Sequence, residues 1–266
     1  MPGTVAYGIH AVRVMLARTP ERVRRVYVAA ARDSGRHAEL RALAQRARVQ
    51  VIESDAAALD RLADGGRHQG VVAEVEPRTG DPETQLEDAL AAAHGPPLLL
   101  VLDGVQDPHN LGACLRSADA AGAAAVIVPR DRAAGLSPVV RKVAAGAAES
   151  IPCIAVVNLA RTLRELKAHG LWLVGADDAA QLTVFDADLR GPVALVLGSE
   201  GEGMRRLTRE CCDQLVRIPM AGAVESLNVS VAAGIVLFEA VRQRRPKQQA
   251  AESDSGAVPE QSAGAP

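Results

Sequence analysis

The sequence predicts an α/β protein whose larger part is a parallel sheet covered by helices on both faces. Three observations lead there. Apolar runs such as "LLLVL" (98–102) lack the alternation of a half-exposed strand and suit strands buried on both sides. Such runs alternate with helical stretches along the chain. Aromatic residues are only 2% of 266, against 48% hydrophobic overall, so Ala, Val and Leu must fill the core and let helices pack closely.

A first region runs to about Glu76. There "YGIHAVRVMLAR" reads as a helix, "RVYVAA" as a strand, "RHAELRALAQRA" as a helix, and "VQVIES" and "VVAEVE" as strands. The Pro/Gly/acid-rich stretch "PRTGDPETQ" (Pro77–Gln85) follows as a linker, and "LEDALAAAH" as a helix laid on the second domain, so residues 77–95 form a linker and bridging helix. From Pro96 the pattern restarts. The strand "LLLVLDG" leads to a helix and then to the strand "AAVIVP". The segment "SPVVRKVAAGAAES", the strand "IPCIAVV", a helix over Leu159–His169 and the strand "LWLVGA" come next. "VALVLGSEG" is a strand leaving into a glycine-rich turn, "QLVRIPM" a short strand, and "LNVSVAAGIVLFEAVRQRR" a long final helix. Residues 96–245 thus make one domain. Residues 246–266, polar and rich in Pro, Gly and Ser, are expected to be a disordered tail.

A net charge of −2 does not announce a nucleic-acid binder, yet residues 1–76 hold twelve Arg, no Lys and nine acids. The four cysteines, Cys114, Cys153, Cys211 and Cys212, fit no metal spacing and read as small buried hydrophobes in a reducing compartment. No signal-peptide pattern opens the chain, and "LLLVL" is too short to span a membrane, so a cytoplasmic protein is expected.

In open parallel sheets ligands bind beyond the carboxyl ends of strands. Three loops lie at such places. In "DGVQDPHNLGACLR", Asp107-Pro108 opens a turn, Asn110 is the expected N-cap, and Arg116 lies nearly two turns further on. In "LGSEGEGM", Gly198, Gly201 and Gly203 permit unusual backbone angles and close approach of a ligand around Glu200. In "IPMAGAVESLNVSVAAG", Glu225-Ser226-Leu227-Asn228 leads into an apolar helix. "GSEGEG" does not have the GxGxxG spacing, and no GxxxxGK[ST] loop occurs, so neither dinucleotide nor phosphate-loop chemistry is indicated.

Taken together and in order, these stretches resemble the three motifs of the SpoU/TrmH family of RNA ribose 2′-O-methyltransferases. The first is Asn110-x-Gly112 with Arg116, and the second Leu197-Gly198-Ser199-Glu200-Gly201. The third is Ile218-Pro219-Met220 with Glu225-Ser226-Leu227-Asn228-Val229-Ser230. The resemblance covers about Leu98 to Arg244. It also reaches "YGIHAV" and "RHQGVVAEV", which are similar to the small RNA-binding domain of the bacterial subgroup that methylates a guanosine in 23S rRNA.

The resemblance implies a SPOUT-type parallel sheet with a deep trefoil knot, S-adenosylmethionine (AdoMet) as methyl donor, and a homodimer with its site near the interface. The substrate would be a guanosine in the peptidyl-transferase region of 23S rRNA or of a large-subunit precursor. A tRNA ribose methyltransferase of the same family is the closest alternative, and a non-catalytic RNA-binding assembly factor a further one. By the same resemblance, Gly198, Ile218 and Leu227, with Gly203 and Met220, would hold AdoMet. Asn110, Arg116, Glu200, Ser226 and Asn228 would form the catalytic, RNA-facing cluster. An arginine is a poor base, because guanidinium stays protonated. Arg116 is therefore expected as a fixed cation gripping a phosphate and stabilising the developing alkoxide, with Glu200 orienting it through a bidentate pair. In the first region Arg67, His68, Gln69 and His10 are the candidate RNA contacts. The two histidines read equally well as ordinary partly buried residues, and no metal role is indicated.

Overall fold

In a computed structural model, residues 4–30, 35–66, 68–76, 80–224 and 226–245 are described. The expected tail, the start of the linker, Arg67 and Glu225 lie outside the described residues.

The C-terminal sheet has six strands: β5 (Leu98–Asp103), β6 (Ala125–Pro129), β7 (Cys153–Val156), β8 (Trp172–Ala176), β9 (Val193–Gly198) and β10 (Gln214–Val216). Their order is β10-β8-β9-β5-β6-β7, and every pairing is parallel. All six residues of β5 are buried, as the unbroken apolar run required. Side chains alternate between faces. Leu98, Leu100 and Leu102 enter one core with α5 (Pro108–Ala120) and α10 (Val229–Arg244). Leu99 and Val101 enter the other, with α4 (Pro82–Ala91), α8 (Leu159–Ala168) and α9 (Arg206–Cys211). The first strand of the sheet lies at its middle, with later strands added on both sides. This reversal opens a crevice beyond the paired ends Asp103 and Gly198 of β5 and β9.

The N-terminal sheet is smaller and mixed. Its strands β1 (Thr4–Tyr7), β2 (Val23–Ala29), β3 (Gln50–Ser54) and β4 (Val71–Val75) lie in the order β1-β4-β2-β3. β4 pairs antiparallel with β1 and β2, whereas β2 and β3 are parallel. Helices α1 (Ile9–Arg18) and α2 (Gly35–Arg46) cover one face, and α3 (Ala56–Leu62) the other.

Several elements differ from expectation. Tyr7 ends a strand instead of starting a helix, because Gly8 takes φ 97 and turns the chain into α1. The segment Ser137–Ser150 breaks into α6 (Pro138–Ala144) and α7 (Ala147–Ser150) around Ala145 and Gly146, both at positive φ. The helices α3 and α9 had no periodicity long enough to announce them. Helix α4 begins at Pro82, four residues before the expected "LEDALAAAH", under an Asp81 cap, and lies on the second domain with Leu86 and Ala89 in its core.

The two sheets are docked. Arg18 pairs with Asp119 at 2.9 Å, Arg22 Nη1 donates to the Glu149 carbonyl at 3.2 Å, and α1 packs on α7. A Cβ at Gly146 would stand 2.8 Å from Ala11 Cα, so glycine there allows the contact. Arg244, at the end of α10, donates to the carbonyls of Pro96, Pro97, Leu189 and Gly191, tying the last helix to the strand starts. No helix of the described residues is long and apolar enough to cross a membrane.

Candidate active site

The site forms where β5 and β9 end. Asp103, the last residue of β5, is buried, and its carboxylate takes the Arg205 guanidinium at 2.8 Å and the Arg205 backbone N–H at 2.9 Å. A buried charge needs such partners. They anchor the far end of the glycine-rich loop. Its near end closes on itself through the paired hydrogen bonds of Ser199 and Gly203, at 3.2 and 3.0 Å. Gly201 and Gly203 supply the positive φ that this turn demands. A Cβ at Gly198 would collide with the backbone of Gly203 and Met204. Glycine is therefore needed there by the loop itself, before any ligand arrives.

On the other side Asp107, not Asn110, caps α5, accepting from the His109 N–H at 3.0 Å with Pro108 in the first turn. Aspartate and asparagine cap about equally well, but Pro108 suits the first helical position after Asp107, and Asn110 lies in the first turn with its side chain turned to another task. Asn110 donates to Glu200 Oε1 at 3.2 Å and accepts from Asn228 Nδ2 at 2.9 Å. Asn228 caps α10 through its Oδ1, which takes the Ser230 N–H at 2.9 Å and the Ser230 hydroxyl at 2.6 Å. Its Nδ2 also reaches Glu200 Oε1 at 2.7 Å, and the Val229 N–H adds a further bond at 3.1 Å. A carboxylate only accepts, so Glu200 dictates that both amides present their NH2 groups. One carboxylate oxygen thus gathers three N–H donors and fastens α5, the glycine loop and α10 together.

Glu200 is consequently engaged with the two asparagines, not with Arg116 as expected. Arg116 is exposed on α5 and makes no ion pair with another described residue. Below it, burial and then the Glu200 charge push the Cys114 thiol up to about 12. Burial likewise raises the Cys153 and Cys212 thiols to about 12, so these cysteines are inert packing residues.

A cavity of about 550 Å³ opens between the second and third motifs. Gly198, Glu200, Gly203, Ile218, Met220, Ser226 and Leu227 line it, which brings seven of the expected site residues to one space. Asn110 and Asn228 reach it through Glu200. The loop after β8 supplies Asp177, Asp178 and Ala179, which the sequence reading missed, and Arg209 pairs with Asp177 at 3.1 Å on the same wall. "GADD" after an apolar strand was the available signal, since it obeys the same strand-end rule as the other loops.

In the N-terminal sheet His68 Nδ1 accepts from the Gly70 N–H at 3.0 Å, so Nε2 carries the proton and faces Asp60 at 3.0 Å. Both ring nitrogens are used within the protein. His68 orders the turn. Gln69, in the same turn, is exposed with φ 54, and His10 is exposed at the start of α1.

An open parallel sheet whose second and third motif loops line one cavity beyond the strand ends, with the first motif tied to them through Glu200, defines the class. The SpoU rRNA Methylase family model matches residues 97–238, and a model described as RNA 2′-O ribose methyltransferase substrate binding matches residues 5–80. The chain belongs to the SpoU methylase family. A protein of Pseudomonas syringae pv. tomato named 23S rRNA (guanosine-2′-O-)-methyltransferase RlmB is 55% identical over 243 residues, 91% of this chain and 97% of its own. A protein of the same name from Vibrio vulnificus is 53% identical over 93% of this chain and its own whole length. The crystal structure of the SpoU methyltransferase AviRb from Streptomyces viridochromogenes, in complex with the cofactor AdoMet, superposes with a TM-score of 0.71. It is 29% identical and covers 91% of each chain.

Proposed function

We propose that this protein transfers the methyl group of AdoMet to the ribose 2′-hydroxyl of a guanosine in 23S rRNA. One observation carries the reading: Asn110, Glu200 and Asn228, drawn from three separate loops, meet in one hydrogen-bonded cluster at the edge of the motif-lined cavity. The kinship with the rRNA guanosine methyltransferases, along nearly the whole chain, supports the substrate.

The cavity fits the donor. Ile218, Met220 and Leu227 give apolar walls for an adenine, while Asp178, Glu200 and Glu202, with Asp177 offset by Arg209, leave a net negative charge that suits a sulfonium and its ammonium group. When bound, AdoMet supplies an electrophilic methyl group. The protein's part is positioning and electrostatics. Glu200 locks the three loops, and its Oε1 is too engaged in accepting hydrogen bonds to serve as a base. Ser226, exposed at the cavity wall, offers a hydroxyl to the substrate. Arg116, charged and without a partner among the described residues, holds a phosphate beside the target ribose and stabilises the alkoxide as the proton leaves. Gln69 and His10 contact the RNA from the N-terminal sheet.

The protein acts in the cytoplasm as a homodimer. Val231 and Phe238, seven positions apart on one side of α10 and 50% and 47% exposed, offer an apolar face for a second copy. The family kinship supports a trefoil knot in the C-terminal domain. The test is to map 2′-O-methylated riboses in 23S rRNA from cells with and without the gene, and to repeat the reaction with purified protein and AdoMet. One guanosine losing its methyl group, and regaining it in vitro, is the expected outcome. An unchanged methylation map overturns the reading.

A further inference from the structure

A second cavity, of about 320 Å³, lies between the two sheets. Tyr7, His10 and Gln69 line it from the N-terminal side, and Arg141, Lys142 and Gly146 from the C-terminal side. None of the three family motifs contributes to it. It takes instead Tyr7, Gly8, His10, Ala11 and Gln69, which the methyl-transfer cluster leaves unused.

Its walls are built under backbone strain. Among the described residues five non-glycine residues have positive φ, and two of them, Gln69 at 54° and Ala145 at 51°, line this one cavity from opposite domains. Such angles cost energy in residues carrying a Cβ and persist where the surroundings impose them. The imposing contacts are visible at Gln69. His68, held by Asp60 and by the Gly70 N–H, clamps the turn and leaves Gln69 exposed at the cavity. Gly66 lies against the ring of Tyr7, where any side chain would collide with it, so the ring is held in place. Across the gap, Arg141 pairs with buried Glu149. Burial, and then the charge of nearby Arg22 from the other domain, lower the Arg141 guanidinium from its ordinary value. Glu149, which also lines the cavity, offsets one of the two guanidiniums, and exposed Lys142 beside them leaves a net positive corner suited to an anion.

A fixed aromatic ring, an exposed amide and a cationic corner in a space of nucleotide size are the components with which proteins hold a splayed-out base of single-stranded RNA. We propose that this cavity holds one unpaired nucleotide of the substrate RNA, its base against Tyr7 and Gln69 and its phosphate at Lys142, so that both domains grip the RNA at one composite site. The proposal rests on the rRNA substrate argued above. It assigns Lys142, in the catalytic domain and outside the motifs, to RNA selection.

The test uses the full-length protein and a transcribed 23S rRNA fragment. RNA affinity is read by fluorescence anisotropy, AdoMet affinity by calorimetry, and methylation separately. Tyr7→Ala should weaken RNA binding about tenfold, with the AdoMet affinity of the parent. Tyr7→Phe, which keeps the ring, should recover most of that loss. Lys142→Ala should lower the slope of log affinity against log salt by about one, the effect of one lost phosphate contact. Parental RNA affinity in Tyr7→Ala, or an unchanged salt slope in Lys142→Ala, overturns the proposal. So does a Tyr7→Ala defect that Tyr7→Phe leaves unrepaired, since that puts the effect on the hydroxyl and not on a ring that stacks a base. A parent protein that binds the fragment without methylating it counts against the reaction and leaves the affinity comparison intact.

Discussion

The two sheets of this protein solve the burial problem differently. In the C-terminal sheet β5 and β6 are buried at every position, because helices cover both faces. Such strands have no room for polar chemistry along their length, and the one acid of β5, Asp103, sits at its end with an arginine to neutralise it. Function is therefore driven to the strand ends, where three loops from distant parts of the chain converge. The N-terminal sheet has only the seven-residue α3 on its second face, so β2 leaves Arg24 and Arg25 exposed, and charged pairs such as Arg24 with Glu76 lie at its surface. Its distinctive residues stand in turns facing the other domain. One domain thus stores precision in a hydrogen-bonded cluster of loops, and the other in strained turns closed by docking.

The sharpest test of this contrast is stability. Leu100→Ala, at the fully buried centre of β5, should destabilise the protein by about 2–5 kcal/mol, whereas Arg25→Ala on β2 should stay within about 0.5 kcal/mol. Chemical denaturation reads both, and similar losses would erase the distinction between the sheets. Next in size is Arg116→Ala, which should cut methyl transfer about 100-fold while AdoMet binding persists. Arg116→Lys should recover little, as lysine lacks the planar fork. Near-parental turnover in Arg116→Lys would replace bidentate gripping with simple charge.

Gly198→Val should cost about 1–3 kcal/mol by overpacking and abolish AdoMet binding together with it, since the collision is with the backbone of the loop. Loss of binding at an unchanged melting temperature would return Gly198 to a role in ligand approach alone.

The smallest effect concerns pH. The hydrogen bond from Arg242 holds the Glu239 carboxyl below its ordinary 4.5, against the opposing effect of burial. A depressed carboxylate contributes stability that is complete above about 4.5 and is lost as pH falls through the folded value. Glu239→Gln should therefore lower the melting temperature by about 1–2 °C at pH 7, with the difference shrinking towards pH 3. A difference that held constant from pH 7 to pH 3 would remove the ion pair from the account.

Much of the fold was legible because it is local. Unbroken apolar strands, helical periodicity and glycine at strand ends each act within a few residues, and they determined a parallel α/β sheet with three functional loops in the right order. Resemblance in those loops then indicated AdoMet and RNA. What the sequence could not determine were contacts between distant residues. Asn110 and Asp107 compete for one helix cap on nearly equal local terms, and Asn110 is released because a bond to Glu200, 90 positions away, and another to Asn228, 118 positions away, take its side chain. Glu200 turned to those amides instead of Arg116, because partners brought near by strand order compete successfully for its carboxylate. The cavity between Tyr7 and Lys142 exists only once the two sheets dock. Local patterns choose the elements, and the order in which strands assemble decides which side chains meet.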